Sequence, residues 1–175
     1  RASELGLDDK GFSTHASFFD YDNDGDLDVY LLNNSYQAIG SFNLTKNERP
    51  KRDVLGGDKL FENRDGLFVD VSEKAGIYGS VIGFGLGVTV GDMNNDGWQD
   101  IYVSNDFDPA DVFYLNNGDG TFKEIAQEAL RHISYFSMGV DASDINNDGN
   151  LDLMVVDMVA EDNYRIKSNM SGMNP

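Results

Sequence analysis

The sequence predicts an all-β protein built from repeated units of four antiparallel strands, and three observations carry that reading. A nine-residue acidic pattern occurs three times, as DYDNDGDLD at 20–28, DMNNDGWQD at 92–100 and DINNDGNLD at 144–152. Apolar residues alternate with other residues on both sides of each copy. A longer segment recurs as a pair, KLFENRDGLFVDVSEKAGI at 59–77 and VFYLNNGDGTFKEIAQEAL at 112–130.

Taken in chain order, RASELGL at the start resembles VSEKAGI and IAQEAL, the ends of the paired segments, so residues 1–11 read as the close of a preceding unit. Before the three acidic loops stand Ala16 and Phe18, Val88 and Val90, Val140 and Ala142. After them stand Val29 and Leu31, Ile101 and Val103, Leu153 and Val155. A period of two with β-branched and aromatic residues marks strands, so each acidic loop joins two of them. The paired segments each read as strand, turn, strand, with turns at Arg64-Asp65-Gly66 and Asn117-Gly118-Asp119-Gly120. Four strands per repeat, in succession, is the pattern of β-propeller blades.

The expected organisation is therefore the end of one blade at 1–11, a blade at 12–78, a blade at 79–132, and half of a further blade plus an extension at 133–175. The loops start at Asp20, Asp92 and Asp144, so the first interval is longer than the second by 20 residues. The surplus falls in an insertion at 33–58 that carries Lys46, Arg49, Lys51 and Arg52. It reads either as a tolerated surface insertion or as a partner-binding loop on one rim. Closed propellers use about four to eight blades, and an open array exposes strand edges. The remaining blades of a larger parent protein are thus an expected partner.

Composition narrows the function classes. The 175 residues include 31 acidic and 13 basic ones, for a formal net charge of −18. Such a surface repels phosphate backbones and anionic lipid, which argues against nucleic acid and favours cations. With no cysteine, disulfides, zinc–thiolate sites and a cysteine nucleophile are excluded. No apolar run is long enough for a membrane span.

The acidic spacing explains why so many like charges are crowded together. Calcium takes six to eight oxygen ligands, and alternate residues of a tight loop converge on one point. Positions 1, 3, 5 and 9 supply side-chain oxygens and position 7 a backbone carbonyl. The expected ligands are Asp20, Asp22, Asp24, Asp28 and the Asp26 carbonyl in the first loop. In the second they are Asp92, Asn94, Asp96, Asp100 and the Trp98 carbonyl; in the third, Asp144, Asn146, Asp148, Asp152 and the Asn150 carbonyl. Gly25, Gly97 and Gly149 at position 6 permit the sharp turn. An EF-hand would need a glutamate at position 12 and flanking helices, whereas this chain has Leu31, Val103 and Val155 there and strands on both sides. The alternative for any single loop is an Asx-type turn without metal; three copies in one place of the repeat favour about three Ca²⁺ ions, one per loop.

GVTVGDMNNDGWQDIYVSND together with VFYLNNGDGTFKEIAQEA resembles the FG-GAP/VCBS repeat of calcium-binding β-propellers, found in integrin α-subunit heads and in cartilage-acidic-protein-like exported bacterial proteins. LNNGDGTFKEI and FFDYDNDGDLDVYLLNN are similar to the bacterial branch. The resemblance implies a propeller, calcium at each loop and an extracellular, cell-surface or periplasmic setting. It implies no single activity, because one fold hosts many.

Two functions are weighed on the residues. A non-catalytic, calcium-stabilised platform for adhesion or for binding protein or glycan could use Tyr36, Phe42, Trp98 and Phe107 as sugar-stacking aromatics, although each could equally pack against a neighbouring blade. An accessory domain of an exported enzyme acting on polysaccharide is the alternative. Catalysis within the chain is not expected: His15 sits in the strand-entry slot filled elsewhere by Gly87 and Gly139, His132 falls in an inter-blade loop, and no nucleophile–base spacing occurs.

Overall fold

A computed structural model describes residues 1–38, 41–42, 50–106, 110–134 and 136–158 of the chain. The strands fall where the alternation places them. β1 (Ser13–Phe19), β2 (Asp28–Asn33), β3 (Lys59–Arg64) and β4 (Leu67–Asp70) form one antiparallel sheet in sequence order. β5 (Gly85–Gly91), β6 (Asp100–Asn105), β7 (Val112–Asn116) and β8 (Phe122–Glu124) repeat it. β9 (Ser137–Ser143) and β10 (Asp152–Asp157) pair as the described part of a third.

The first two sheets share their register. Phe19 faces Asp28 and Gly91 faces Asp100 across the acidic loop, and the register shifts once in each first strand, before His15 and before Gly87. His15 thus holds the strand-entry slot that glycine holds in the next sheet, and its side chain is exposed. The β3–β4 hairpin turns on Asp65 and Gly66, both at positive φ (57° and 88°), the backbone of a type I′ turn. First strands lie side by side, β1 against β5 and β5 against β9, so the sheets are stacked like successive blades. This is the arrangement of a partial propeller.

Burial departs from simple alternation for a physical reason. Period two marks a strand covered on one face, but β2 and β6, the second strands of their sheets, are buried on both. In β2, Val29, Tyr30 and Leu32 are all buried. In β1 the expected Phe18 is 57% exposed while the adjacent Phe19 enters the core. The main core joins the first two sheets through Tyr30, Leu32, Leu60, Ile77, Val103 and Tyr114. A second cluster, Tyr102, Phe113 and Ala126, packs against Val140, Leu153 and Val155 of the third sheet.

Three single helical turns complete the repeat: α1 (Ala2–Leu5), α2 (Ser72–Ala75) and α3 (Ala126–Ala129). They occupy the three segments whose sequences resemble one another. Gly6 and Gly76 end the first two in the left-handed region, at φ 78° and 79°, where glycine carries no Cβ penalty. A Cβ on Gly6 would lie 2.3 Å from the Phe68 carbonyl oxygen, and one on Gly76 3.0 Å from that of Phe122. Both glycines therefore press on the fourth strand of the sheet that follows them. α2 itself also rests on β3 of its own sheet, where Ser72 Oγ accepts from the Leu60 N–H at 2.9 Å. Gly6 thus stands to β4 as Gly76 stands to β8.

The insertion at 33–58 is anchored at its described end. Arg52 donates from Nη1 to the Ile77 carbonyl (2.8 Å), and the Asp53 N–H donates to the Gly79 carbonyl (2.7 Å). Arg52 is thus committed to the connection between the first two sheets, while Lys46 and Arg49 lie outside the described residues.

Candidate metal-binding loops

All three acidic loops adopt one conformation, fixed by their own side chains. The position-1 aspartates accept from the N–H groups of positions 5 and 6: Asp24 and Gly25 onto Asp20, Asp96 and Gly97 onto Asp92, Asp148 and Gly149 onto Asp144, at 2.9–3.1 Å. Asp22, Asn94 and Asn146 at position 3 also accept from the position-5 N–H. Position 5 accepts from position 7, with Asp26, Trp98 and Asn150 donating to Asp24, Asp96 and Asp148. Position 9 reaches back to position 2, where the N–H groups of Tyr21, Met93 and Ile145 donate to Asp28, Asp100 and Asp152.

The sequence directs attention to glycine at position 6, and Gly25, Gly97 and Gly149 do have φ of 88–96°. It gives no special place to position 4. Asn23, Asn95 and Asn147 are also left-handed, at φ 59–60°, a region asparagine tolerates better than most residues. The shared DND and NND in the three copies was the available signal. Two of these asparagines leave their own loop: Asn23 Nδ2 donates to the Gly97 carbonyl (3.1 Å), and Asn95 Nδ2 to Asn150 Oδ1 (2.7 Å).

The loops differ in charge. In the first, one carboxylate oxygen each from Asp20, Asp22 and Asp28 comes within 4.8 Å of the others. Asp24 stands outside that trio, with Oδ1 held by the Asp26 N–H at 3.0 Å. Asp26 Oδ1 is buried without a hydrogen-bond partner. Desolvation, then repulsion by its neighbours, raises the Asp22 and Asp26 carboxyls; Asp28 is pushed up to about 6 by burial, partly offset by the Asn63 and Tyr21 N–H groups. In the second and third loops the asparagine amide answers the charge instead, Asn94 donating to Asp96 (2.8 Å) and Asn146 to Asp148 (3.1 Å). Burial raises Asp100 in the same way as Asp28, whereas the Asn150 N–H and the neighbouring amides lower Asp148.

The donor set is oxygen only, without sulfur or imidazole, and includes a carboxylate trio that repels itself when empty. That fits a hard divalent cation and disfavours softer metals. The position-9 side chain also fastens its loop to β3 or β7, because Asp28 and Asp100 each accept from the end of the third strand, through the Asn63 and Asn116 N–H groups (2.8 and 2.9 Å).

Of the candidate surface aromatics, Trp98 is half-buried against Gly118, where a Cβ would come within 2.9 Å of the indole. Phe42 packs edge-on to Phe84, and Tyr36 stacks on Phe12 with its hydroxyl on Asp53. Phe107 lies outside the described residues. Asp58 and Asp111, one residue before β3 and β7, form a pair that the spacing of the acidic loops does not point to. Asp58 accepts from the Tyr30 hydroxyl and the Asn33 N–H; Asp111 accepts from the Tyr102 hydroxyl and the Asn105 N–H. The signal was an aspartate before the third strand of both repeats. Among the described residues, no helix is long and apolar enough to cross a membrane.

Stacked four-stranded antiparallel sheets with an acidic loop between the first two strands define a propeller-type repeat protein. Comparison with known families agrees: residues 92–155 match the model of the FG-GAP-like repeat, a span running from the start of the second loop into β10. The chain is also similar to cartilage acidic protein 1 of Homo sapiens, 29% identical over 131 residues, which cover 74% of this chain and 18% of that protein. It is 28% identical to the Mus musculus cartilage acidic protein 1 over 131 residues, covering 74% of this chain and 19% of the relative. The chain spans less than a fifth of the length of these curated relatives.

Proposed function

We propose that the chain is a non-catalytic binding or adhesion platform, made rigid by one calcium ion in each acidic loop. The ligands are those of positions 1, 3, 5 and 9 with the position-7 carbonyl. The observation that carries the proposal is the convergence of Asp20, Asp22 and Asp28 within one ion's reach, in a loop whose bonds from the backbone N–H groups to positions 1, 3, 5 and 9 recur in the other two. Three ions would take the formal charge from −18 to −12. Each would fasten the first strand of a sheet to the second, so that binding free energy becomes folding free energy.

Extracellular modules bind calcium with Kd of about 10⁻⁴ to 10⁻³ M. Such loops fill outside a cell and stay empty in cytosol, which supports an extracellular, cell-surface or periplasmic place of action. A protein or glycan is the partner of the platform, and the FG-GAP-like match supports a repeat module rather than an enzyme.

Thermal unfolding in EDTA, in 10 mM Ca²⁺ and in 10 mM Mg²⁺ tests the reading. At roughly 10–100 Kd each site adds about 1.4–2.7 kcal/mol. Three sites together correspond to a rise of about 10–25 °C for a chain of this size. Magnesium, which wants near-octahedral geometry and keeps its waters, should give much less. Equal melting temperatures in all three solutions would sink the calcium assignment.

A further inference from the structure

The acidic loops are physically joined to one another across the sheets. Between the first and second loops there are two links. At the rim, Asn23 donates its side-chain amide to the Gly97 carbonyl. Beneath it, the buried Asn116 at the end of β7 donates from Nδ2 to both the Tyr21 carbonyl of the first loop (2.8 Å) and the Gln99 carbonyl of the second (3.1 Å), while its N–H holds Asp100. Between the second and third loops, Asn95 donates to Asn150 Oδ1.

These contacts touch the groups that would hold the ions. The Gly97 carbonyl and the Trp98 N–H belong to one peptide unit. Asn23 grips its oxygen, and Asp96 Oδ1 accepts from its nitrogen at 2.9 Å. That peptide sets the direction of Trp98, whose carbonyl is the position-7 ligand proposed above. Asn23 itself presents its amide to the second loop only while it holds its left-handed φ of 59°, a conformation that non-glycine residues adopt at a cost. An ion that orders the first loop keeps Asn23 in that conformation and so keeps the neighbouring peptide in its ligating orientation.

We infer that Asn23 and Asn116 are positioning residues which couple cation occupancy of the first loop to that of the second, with Asn95 passing the same coupling to the third. The inference rests on the calcium reading. By linkage the coupling is reciprocal: filling the second loop tightens the first by the same factor.

The chain's single tryptophan, Trp98, lies in the second loop, so its fluorescence reports that site while the first is altered. The full chain is titrated with Ca²⁺, with calorimetry counting the ions. Asp20→Ala, which disables the first loop, should weaken the Trp98 midpoint by about fivefold, the low end of ordinary coupling. Asn23→Gly keeps the left-handed backbone available and removes only the amide. It should shift the midpoint in the same direction, and Asp20→Ala added to it should have a smaller effect than in the parent. A Trp98 midpoint unmoved by Asn23→Gly overturns the role given to Asn23, and an unmoved midpoint in an Asp20→Ala chain that has lost one ion overturns the coupling as a whole. If Asp20→Ala fails to fold, shown by loss of the strand circular dichroism, Asn23→Gly alone decides. Calorimetry with no bound calcium in the parent would overturn the underlying assignment as well, and that result is distinguishable from independent sites, which bind calcium without influencing each other.

Discussion

Replacing Asp111 should expose how much of the fold depends on a buried carboxylate rather than on metal. Its two oxygens serve three buried donors: the Asn105 N–H at 2.8 Å, the Tyr102 hydroxyl at 2.8 Å and the Ser137 hydroxyl at 2.7 Å. The last belongs to β9, so this side chain also ties the second sheet to the third. Asp111, Tyr102, Asn105 and Ser137 are all at most 4% exposed. Asp111→Ala leaves those donors facing a dry cavity, and each buried unsatisfied group costs about 1–3 kcal/mol. Allowing the hydroxyls to rotate toward other acceptors, the loss is about 3–5 kcal/mol. Asp111→Asn keeps one oxygen for the Asn105 N–H and offers an NH₂ to two hydroxyls, which accept as readily as they donate. Burial already pushes the Asp111 carboxyl up, so the neutral amide also sheds a poorly solvated charge. Its cost should be about 1 kcal/mol or less. Urea unfolding followed by circular dichroism measures both, and the two losses should be the same in EDTA and in calcium. An alanine variant within about 1 kcal/mol of the parent, or an asparagine variant as damaged as the alanine one, would refute this account of the clasp.

Asp58, the counterpart in the first sheet, gives a pH dependence. Burial pushes its carboxyl up to about 7, against the pull of the Asn33 N–H and the Tyr30 hydroxyl. Its folded form holds a proton that the unfolded chain has released, so its contribution is fully present below about pH 4 and is lost as pH rises to about 7. In EDTA, Asp58→Asn should flatten the decline in stability over that window; an unchanged slope would place the proton elsewhere. Gly6→Ala and Gly76→Ala should each destabilise by about 1–2 kcal/mol from the left-handed backbone alone. Gly6→Ala should be the worse, since its Cβ meets the Phe68 carbonyl at 2.3 Å against 3.0 Å for Gly76 and Phe122. Equal melting temperatures for the two variants would contradict the forward packing of these two glycines.

Strand positions were legible because each strand is short, bounded by a turn, and rich in valine, isoleucine and tyrosine. The acidic loops were legible because loop conformation is local: spacing and glycine suffice to write it. Other features depend on sequence-distant neighbours. Asn23 in DYDNDG looks like filler until the next sheet brings Gly97 within reach of its amide. Phe18 and Phe19 are adjacent apolar residues, and only the stacking of β1 on β5 decides which is covered. The helical turns were visible as a resemblance among RASELGL, VSEKAGI and IAQEAL, but four residues are too few for a helical period to declare itself. Asp58 and Asp111 sit in matching positions, yet their targets lie on the preceding strand and, for Ser137, on another sheet. Asn33 heads an N-x-Ser triplet that alone would suggest a glycan acceptor; in the fold it is buried, with its amide on the Gly57 carbonyl.

The helical turns make the boundary between sheets a shared one: α2 rests on β3 behind it, while Gly76 at its end presses on the Phe122 carbonyl ahead. Reading the chain, Ser72–Ala75 closes one unit; touching the molecule, it belongs to both, since Ser72 Oγ accepts from the Leu60 N–H of the first sheet. A block of this array transplanted into another protein must therefore carry a turn at each end, the leading one at the position Ala2–Leu5 takes ahead of β1. Leaving out the leading turn would strip the block's fourth strand of its contact with the turn's closing glycine, and leaving out the trailing turn would unpair the Leu60 N–H that Ser72 holds. Exchange between such arrays is thus favoured in overlapping pieces, each carrying a turn at both ends.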